Sequence, residues 1–407
     1  MWKKTFLFWA IFAVTLLPAG CVRRATSQPT PVQPAASSQQ TGNTKETLQL
    51  LSIQMRSETT GWAATNRDVL RTTDGGCTWR VVTPPADQSE SVSVLEDFVD
   101  ADQAWVAIGQ RAETKVFALV FHTTDGGQTW RLTKIPLASS DRALYQGAIT
   151  FTDDRHGWLM AVNSQQYSPA ELFATTDGGA IWSQIASTDD GHLPCGGEIS
   201  FRDPATGWMV GNLGGNGDSY PNILYRTQDG GRTWLEQDLK LPPGYPKSTI
   251  GIGGINDDSP VFFSNGEGLL TATYWPEPQS QNETLLYFTQ DGGQTWQSRP
   301  PLNPWGIVDF LNANEGWYWP GEPPDSPTAS ANAPVKGKLY HTADGGKTWT
   351  GIEPDQNLKH FLDQGMNIMQ LDFIDSRTGW VLLSFNGKPQ ILKTMDGGDS
   401  WTSVYPR

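Results

Sequence analysis

The sequence has 407 residues but little of what metal sites and covalent catalysis most often use, with only three cysteines and five histidines. His156, His192 and His360 lack the spacing that would make them ligands of one metal ion. The chain also lacks a glycine-rich phosphate-binding loop, a Ser-His-Asp order and a Cys-x-x-Cys pair. These absences predict no catalytic residue, no metal and no cofactor.

Basic side chains are also few, since 29 Lys and Arg stand against 43 Asp and Glu and give a formal net charge of −14. Binding to nucleic acid requires clustered Lys and Arg that neutralise phosphates. The acidic balance therefore argues against a nucleic-acid partner. It says little about the fold, because net charge mainly affects solubility and association.

The longest apolar stretch lies near the N-terminus, where two lysines precede Thr5–Leu17 and small residues precede Cys21. It is shorter than the roughly 20 apolar residues of a membrane-spanning helix, and it ends at a cleavage-like site. The segment Leu-Pro-Ala-Gly-Cys resembles a bacterial lipoprotein signal. The resemblance implies that residues 1–20 are removed and that lipid on Cys21 anchors the protein outside the cytoplasm. An uncleaved anchor and simple secretion are the alternatives.

Residues 21–46 comprise that cysteine and a stretch rich in Gln, Pro, Ser, Thr and Ala. Such a stretch has too few large apolar residues to fold, and we expect a disordered tether. The folded body is then residues 47–407. Its two cysteines, Cys77 and Cys195, lie in different repeats of that body, so we expect no disulfide between them.

One octapeptide, Thr-x-Asp-Gly-Gly-x-x-Trp, occurs seven times in the folded body at spacings of 51 to 62 residues. Its aspartates are Asp74, Asp125, Asp177, Asp229, Asp291, Asp344 and Asp396. A period near 50 residues is typical of a propeller, a solenoid or an array. Before each octapeptide stands a second motif, complete or degenerate: an aromatic residue, a short polar residue two positions later, and then Gly-Trp, as in Phe373, Asp375 and Gly379-Trp380.

Each unit therefore contains two turns and four short strands. The polar residue of the second motif can cap the first turn, and Asp-Gly-Gly forms the other because glycine accepts positive φ. Seven units of four antiparallel strands predict an all-β, seven-bladed β-propeller. Both terminal units contain all four strands in order, so we expect the last blade to pack directly on the first without exchanging a strand.

The octapeptide resembles the Asp-box, also called the bacterial neuraminidase repeat. With the Gly-Trp element, residues 47–407 resemble propellers of the photosystem II stability and assembly factor type. That resemblance implies a non-enzymatic assembly factor with a protein partner. Asp-box propellers also include sialidases and glucanases, so the motifs specify the fold rather than the activity.

The carboxylates admit a chemical and a structural interpretation. The seven octapeptide aspartates could suggest metal binding or catalysis, but a residue repeated in the same turn of every unit is more simply structural.

Six of the seven residues that precede the aromatics are polar. The set is Gln54, Asp97, Thr150, Ser200, Val261, Asp309 and Asp372. Their carboxylates could act as a glycosidase pair. We expect instead that they hydrogen-bond the backbone of neighbouring inner strands.

Long insertions between second and third strands gather in units three to six, on the face opposite the motif turns. Aromatic residues in or near them are Tyr167, Tyr220, Tyr274, Trp275, Trp305, Tyr318 and Trp319. Tyr and Trp are enriched at binding hot spots, so these rings could contact a protein or glycan partner. Alternatively, they pin the loops.

The leading hypothesis is a monomeric, membrane-tethered binding scaffold or assembly factor. A carbohydrate-binding or glycoside-hydrolysing envelope protein is the alternative, and a purely structural envelope component is a third. Sialidases carry an Arg-Ile-Pro element ahead of the first Asp-box, where this chain reads Ser52-Ile-Gln-Met-Arg56. That difference argues against the hydrolysis of sialosides.

Overall fold

Each of the seven sequence units folds as its own antiparallel sheet, with its strands paired in chain order. The computed structural model describes residues 30–32, 48–86, 94–113, 115–138, 144, 146–162, 170–212, 223–245, 250–251, 259–263, 265–274, 283–321 and 337–406. The predicted seven-bladed, all-β propeller is confirmed.

The first three blades contain strands β1 to β13. The bounds are β1 Thr30–Val32, β2 Ser52–Met55, β3 Gly61–Ala64, β4 Val69–Thr72, β5 Arg80–Val81, β6 Val94–Phe98, β7 Ala104–Ala112, β8 Lys115–Thr123, β9 Trp130–Leu137, β10 Gln146–Phe151, β11 Gly157–Val162, β12 Ala170–Thr175 and β13 Ser183–Ser187. Blade one is β2–β5, blade two is β6–β9 with β1 added at its outer edge, and blade three is β10–β13.

The remaining four blades contain strands β14 to β30 and a single described helix, α1. The bounds are β14 Cys195–Phe201, β15 Gly207–Asn212, β16 Ile223–Thr227, β17 Leu235–Glu236, β18 Ile250–Gly251, β19 Val261–Phe262, β20 Gly268–Tyr274, β21 Glu283–Thr289, β22 Gln297–Ser298, β23 Gly306–Phe310, β24 Gly316–Pro320, β25 Leu339–Thr342, β26 Thr350–Ile352, α1 Gln356–Asp363, β27 Asn367–Phe373, β28 Gly379–Phe385, β29 Lys388–Thr394 and β30 Thr402–Tyr405. In blade five, β18 and β19 both pair with β20.

The two sequence motifs bind each other across the blade interfaces. Trp158 of blade three stacks on Phe201 of blade four with ring centroids 3.6 Å apart, and its Nε1 donates to Gly230 O in the next Asp-box, 2.9 Å away. Trp317 repeats this arrangement on Phe373 and Gly397 O. A buried indole contributes a large apolar area, and the hydrogen bond of its N–H fixes the orientation of the ring. The Gly-Trp step therefore joins these neighbouring blades by both ring stacking and a hydrogen bond.

The ring closes between blades seven and one as predicted, with no strand exchanged. Trp380 Nε1 of blade seven donates to Gly75 O of blade one at 2.9 Å. Gln370 binds both backbone groups of Ile53, accepting from its N–H at 2.9 Å and donating to its O at 2.8 Å. Hydrogen bonds from an inner-strand side chain thus help to close this ring, whereas other propellers close by exchanging a strand between the terminal blades.

Part of the tether prediction is wrong. Thr30–Val32 forms β1 and pairs antiparallel with Trp130–Leu132 of β9. An outer strand presents unpaired peptide groups to which an extended segment can add, and proline is tolerated on such an edge. The rest of residues 21–46 and the predicted signal at residues 1–20 lie outside the described residues. Within the described ranges, no helix is long and apolar enough to cross a membrane.

Candidate functional site

The aspartates of the octapeptides lie in the turns between third and fourth strands, where their carboxylates accept several hydrogen bonds. Asp229 is representative: Oδ1 accepts from the hydroxyl of Thr227 at 2.8 Å and from the N–H of Thr233 at 2.9 Å, while Oδ2 accepts from the hydroxyl of Thr233 at 2.7 Å. Burial alone would raise the pKa of Asp229, but these donors hold it below its ordinary value. A carboxylate so occupied has little capacity left for metal binding.

The turn of blade three is weaker than the others. Asp177 accepts from the hydroxyl of Thr175 at 2.8 Å and from the N–H of Ile181 at 2.9 Å. Ile181 stands where the other six octapeptides have Thr or Ser, so the hydroxyl bond to Oδ2 is lost.

The inner-strand aspartates connect neighbouring blades through backbone amides, as expected. Asp97 Oδ2 accepts from Phe151 N–H, Asp309 Oδ2 from Phe373 N–H and Asp372 Oδ2 from Met55 N–H, each at 2.6 Å. Ser200 instead donates to Pro260 O at 2.6 Å. The three contacts of the aspartates each occupy one oxygen of the carboxyl group.

Burial raises the pKa of all three inner aspartates, because each accepts few hydrogen bonds in exchange for lost hydration. The pKa of Asp97 rises to about 6 and that of Asp309 to about 7. The pKa of Asp372 rises to about 8, because burial is reinforced by the charge of Asp309. The pKa of an aspartate is thus raised on the inner strands but lowered in an Asp-box turn such as that of Asp229.

Three of the predicted aromatic contacts are buried in the blades. Tyr274 is 2% exposed, Tyr318 1% and Trp319 7%. The Tyr318 hydroxyl donates to Pro304 O, and Tyr274 packs edge-on against Tyr245. Tyr274 and Tyr318 thus pin the chain, whereas Trp319 also lines a cleft, and contact of these three rings with a partner stays a prediction. Tyr167, Tyr220 and Trp275 lie outside the described residues.

Trp305, the remaining predicted aromatic, is half-buried and lines a cleft of about 900 Å³ between blades six and seven. The cleft is lined by the end of the second strand of blade six, by the residues just before its third strand, and by the segment that leads from blade six to blade seven. It lies on the face opposite the motif turns. Ile307, Trp319, Met366 and Met369 supply further apolar walls. Its size is within the range of known ligand sites.

Helix α1 forms one side of the cleft and is fastened to blade seven at its N-terminus. The carboxylate of Asp355 caps the helix by accepting from Leu358 N–H at 2.9 Å, and its other oxygen accepts from Trp401 N–H at 3.1 Å. Asn357 Nδ2 donates to Trp401 O at 2.8 Å. The buried side chain of Leu358 fixes the helix against the core.

Met369 is directed into the cleft by an irregularity in β27. The pairing of β27 with β28 shifts register between Ile368 and Gln370, which leaves Met369 as an extra residue. Bulges of this kind redirect a side chain and are common beside functional sites. Met369 is 43% exposed.

The charged residues of the cleft are paired with one another. Lys338 Nζ forms an ion pair with Glu353, and Lys359 Nζ lies 2.9 Å from Asp363 Oδ1. The bond to Glu353 raises the pKa of Lys338. Glu353 and Asp363 are the carboxylates among the described residues that line the cleft. The cleft is therefore apolar inside, with balanced charge at its edge.

The histidines have structural positions. His122 and His341, which share the position before the octapeptide, lie over Trp105 and Trp317 with ring centroids 4.2 and 5.0 Å away. Burial lowers the pKa of His122 to about 4. In the part of the chain that the structure describes, no group of three or more His, Cys, Asp or Glu side chains could hold a metal ion.

Comparison with known proteins supports the repeat and gives two kinds of relative. The BNR/Asp-box repeat family matches residues 121–132. The chain is 24% identical to the photosystem II assembly lipoprotein Ycf48 of Synechococcus sp. (strain CC9902), over 62% of this chain and 73% of that protein. It is 27% identical to a xyloglucanase of Paenibacillus sp., over 38% of this chain but 17% of that enzyme.

A similar solved structure is the β-propeller domain of the Trilobed protease from Pyrococcus furiosus, with a TM-score of 0.47 and 11% identity over 88% of this chain and 96% of that one. The two sequence relatives differ in kind but are about equally similar to the chain. Similarity alone therefore does not distinguish a binding protein from a glycoside hydrolase.

Proposed function

We propose that the protein is a non-enzymatic binding protein, held outside the cytoplasm by lipid on Cys21, and that the cleft between blades six and seven is its binding site. The engagement of its described carboxylates supports this function most directly. Asp97, Asp309 and Asp372 bind backbone amides, while Glu353 and Asp363 are in ion pairs. Hydrolysis of a glycoside requires one carboxyl group free to donate a proton and a second free to attack or to activate water.

The proposed ligand is an apolar segment of a protein partner. Met369 and Phe385 are 43% and 47% exposed, and Phe385 lies beside Gly365 of the cleft wall. Apolar side chains exposed around a concave site are typical of protein-binding surfaces, and methionine adapts to irregular partners. The balanced edge charges favour a segment without strong net charge. Tyr167, Tyr220 and Trp275 remain predicted contacts of the same partner.

Affinity capture tests this proposal, with residues 22–407 as bait on solubilised envelope membranes. We expect the double variant Trp305→Ala, Met369→Glu to lose the captured partner, because it removes one wall and places a charge in an apolar cleft. Met369 is exposed, so its replacement should change the free energy of unfolding by less than about 0.5 kcal/mol. Trp319 is unsuitable for this test because its burial would make loss of binding a consequence of unfolding.

Leu235→Glu is the matched control, since Leu235 is 73% exposed on the outer strand of blade four, away from the cleft. If the cleft variant still captures the partner, the cleft is not the binding site. The second candidate function, carbohydrate binding, is favoured by the similarity to a xyloglucanase and by Trp305. Retention of a neutral β-glucan by the unmodified protein, lost in the cleft variant, would establish that function instead.

A further inference from the structure

The three inner-strand aspartates are enclosed ionisable groups that the proposed function does not use. Each accepts one hydrogen bond from the N–H of the next blade, at the interfaces of blades two and three, six and seven, and seven and one. These bonds lie at one end of the inner strands, where no β-ladder joins neighbouring blades. They are therefore direct ties between sheets, in addition to the indole bonds and the bonds of Gln370 to Ile53.

We propose that Asp309 and Asp372, assisted by Asp97, form a proton-operated latch on the ring: the neutral carboxyl groups hold adjacent blades together, and the charged carboxylates loosen them. A protonated carboxyl group still accepts the backbone N–H through its carbonyl oxygen. Losing the proton places two like charges on neighbouring inner strands, where burial makes each charge costly.

The charged groups around Asp372 are few. Asp309 lies on the inner strand of blade six and opposes ionisation, whereas Arg56, which follows β2 of blade one, favours it. Arg56 also attracts Asp97 and Asp100, so its charge is shared among carboxylates. Among the described residues, no ion pair joins Arg56 to any of them. The arginine therefore weakens the repulsion without cancelling it.

The sign of the pH effect follows from the direction of the shifts. An aspartate in the unfolded chain releases its proton near pH 4, whereas Asp97, Asp309 and Asp372 keep theirs until about pH 6, 7 and 8. Between those limits the folded state binds more protons than the unfolded state, so its stability falls as pH rises. The latch holds best in mild acid and is weakest above pH 8.

Melting temperatures of the unmodified protein and of Asp372→Asn, measured from about pH 5 to pH 9, test the latch. Asparagine retains the shape and accepts from Met55 N–H, but it cannot ionise. We expect the melting temperature of the unmodified protein to fall across this range and that of the variant to fall less. Above pH 8 the variant should be the more stable of the two.

The matched control is Asp229→Asn, which replaces an Asp-box carboxylate whose pKa is lowered. This variant should be less stable than the unmodified protein and should keep its pH slope. Equal slopes for the unmodified protein and Asp372→Asn would overturn the latch. If Asp372→Asn does not fold, Asp309→Asn serves in its place, because it removes the neighbouring charge.

Amide hydrogen exchange separates a latch from a general loss of stability. After correction for the intrinsic pH dependence of exchange, the N–H groups of Met55 and Phe373 should lose protection as pH rises from about 5 to 9. The N–H of Gly231, held at 2.9 Å by Thr227 in an Asp-box turn, should not. Uniform behaviour of all three amides would contradict the proposal.

Discussion

The two faces of the propeller are built on different principles. One face carries the motif turns, in which the same bonds recur: the turns of blades two and four give their aspartates hydroxyl and amide donors in matching positions. The opposite face carries the cleft and the bulge at Met369, together with α1, the one helix among the described residues. The motif face is therefore built from a repeated turn, whereas the cleft face carries features of blades six and seven.

The difference separates stability from binding. The Asp-box carboxylates on the motif face accept several internal hydrogen bonds, so they stabilise the ring and have little capacity left for a ligand. The cleft face places the exposed side chains of Met369 and Phe385 in and beside a concave site. Substitutions on the motif face should therefore lower stability, and substitutions in the cleft should lower binding.

The largest expected effect comes from Trp317→Ala. The indole is fully buried, stacks on Phe373 at 3.7 Å between centroids and donates to Gly397 O at 3.0 Å. Its removal should lower the free energy of unfolding by about 3–5 kcal/mol, as for other buried tryptophans. Chemical denaturation measures this value. Trp234→Ala is the control and should cost less, since Trp234 is half-buried and its Nε1 bonds within its own turn.

A smaller effect distinguishes two Asp-box turns. Asp229→Ala removes bonds to two hydroxyl groups and should cost about 2 kcal/mol, while Asp177→Ala removes a bond to one hydroxyl group and should cost about 1 kcal/mol. Thermal unfolding of the two variants gives the order. Partner capture should survive in both where the fold survives. An Asp177 variant that keeps full stability yet loses the partner would show that the motif face also binds.

The motif face could be predicted from the sequence because each turn requires particular residues. Asp-Gly-Gly needs positive φ at both glycines, as in Gly230 and Gly231 with φ of 74° and 94°, and few other sequences meet that need. The sevenfold recurrence then implies the blade count. The hydrogen bonds of the inner aspartates were also expected, because inner strands of neighbouring blades lie side by side without a ladder.

The cleft could not be predicted, because its features depend on single residues. Helix α1 has eight residues and owes its position to Asp355, which binds both the helix and Trp401. The sequence predicts that Tyr318 and Trp319 begin a loop, yet they lie within β24. Every residue of β24 is buried, since neighbouring blades cover both its faces. The alternation that usually distinguishes exposed from buried strand residues is therefore missing.

Site-specific photo-crosslinking tests the central claim, that this protein acts by binding a partner in the cleft. A photoreactive phenylalanine analogue is placed at Met369, and in a matched sample at Leu235, and each protein is irradiated on the envelope in which it is made. We expect one crosslinked protein product from position 369 and no product of the same mass from position 235. Crosslinks from position 235 alone, or the same products from both positions, would contradict it.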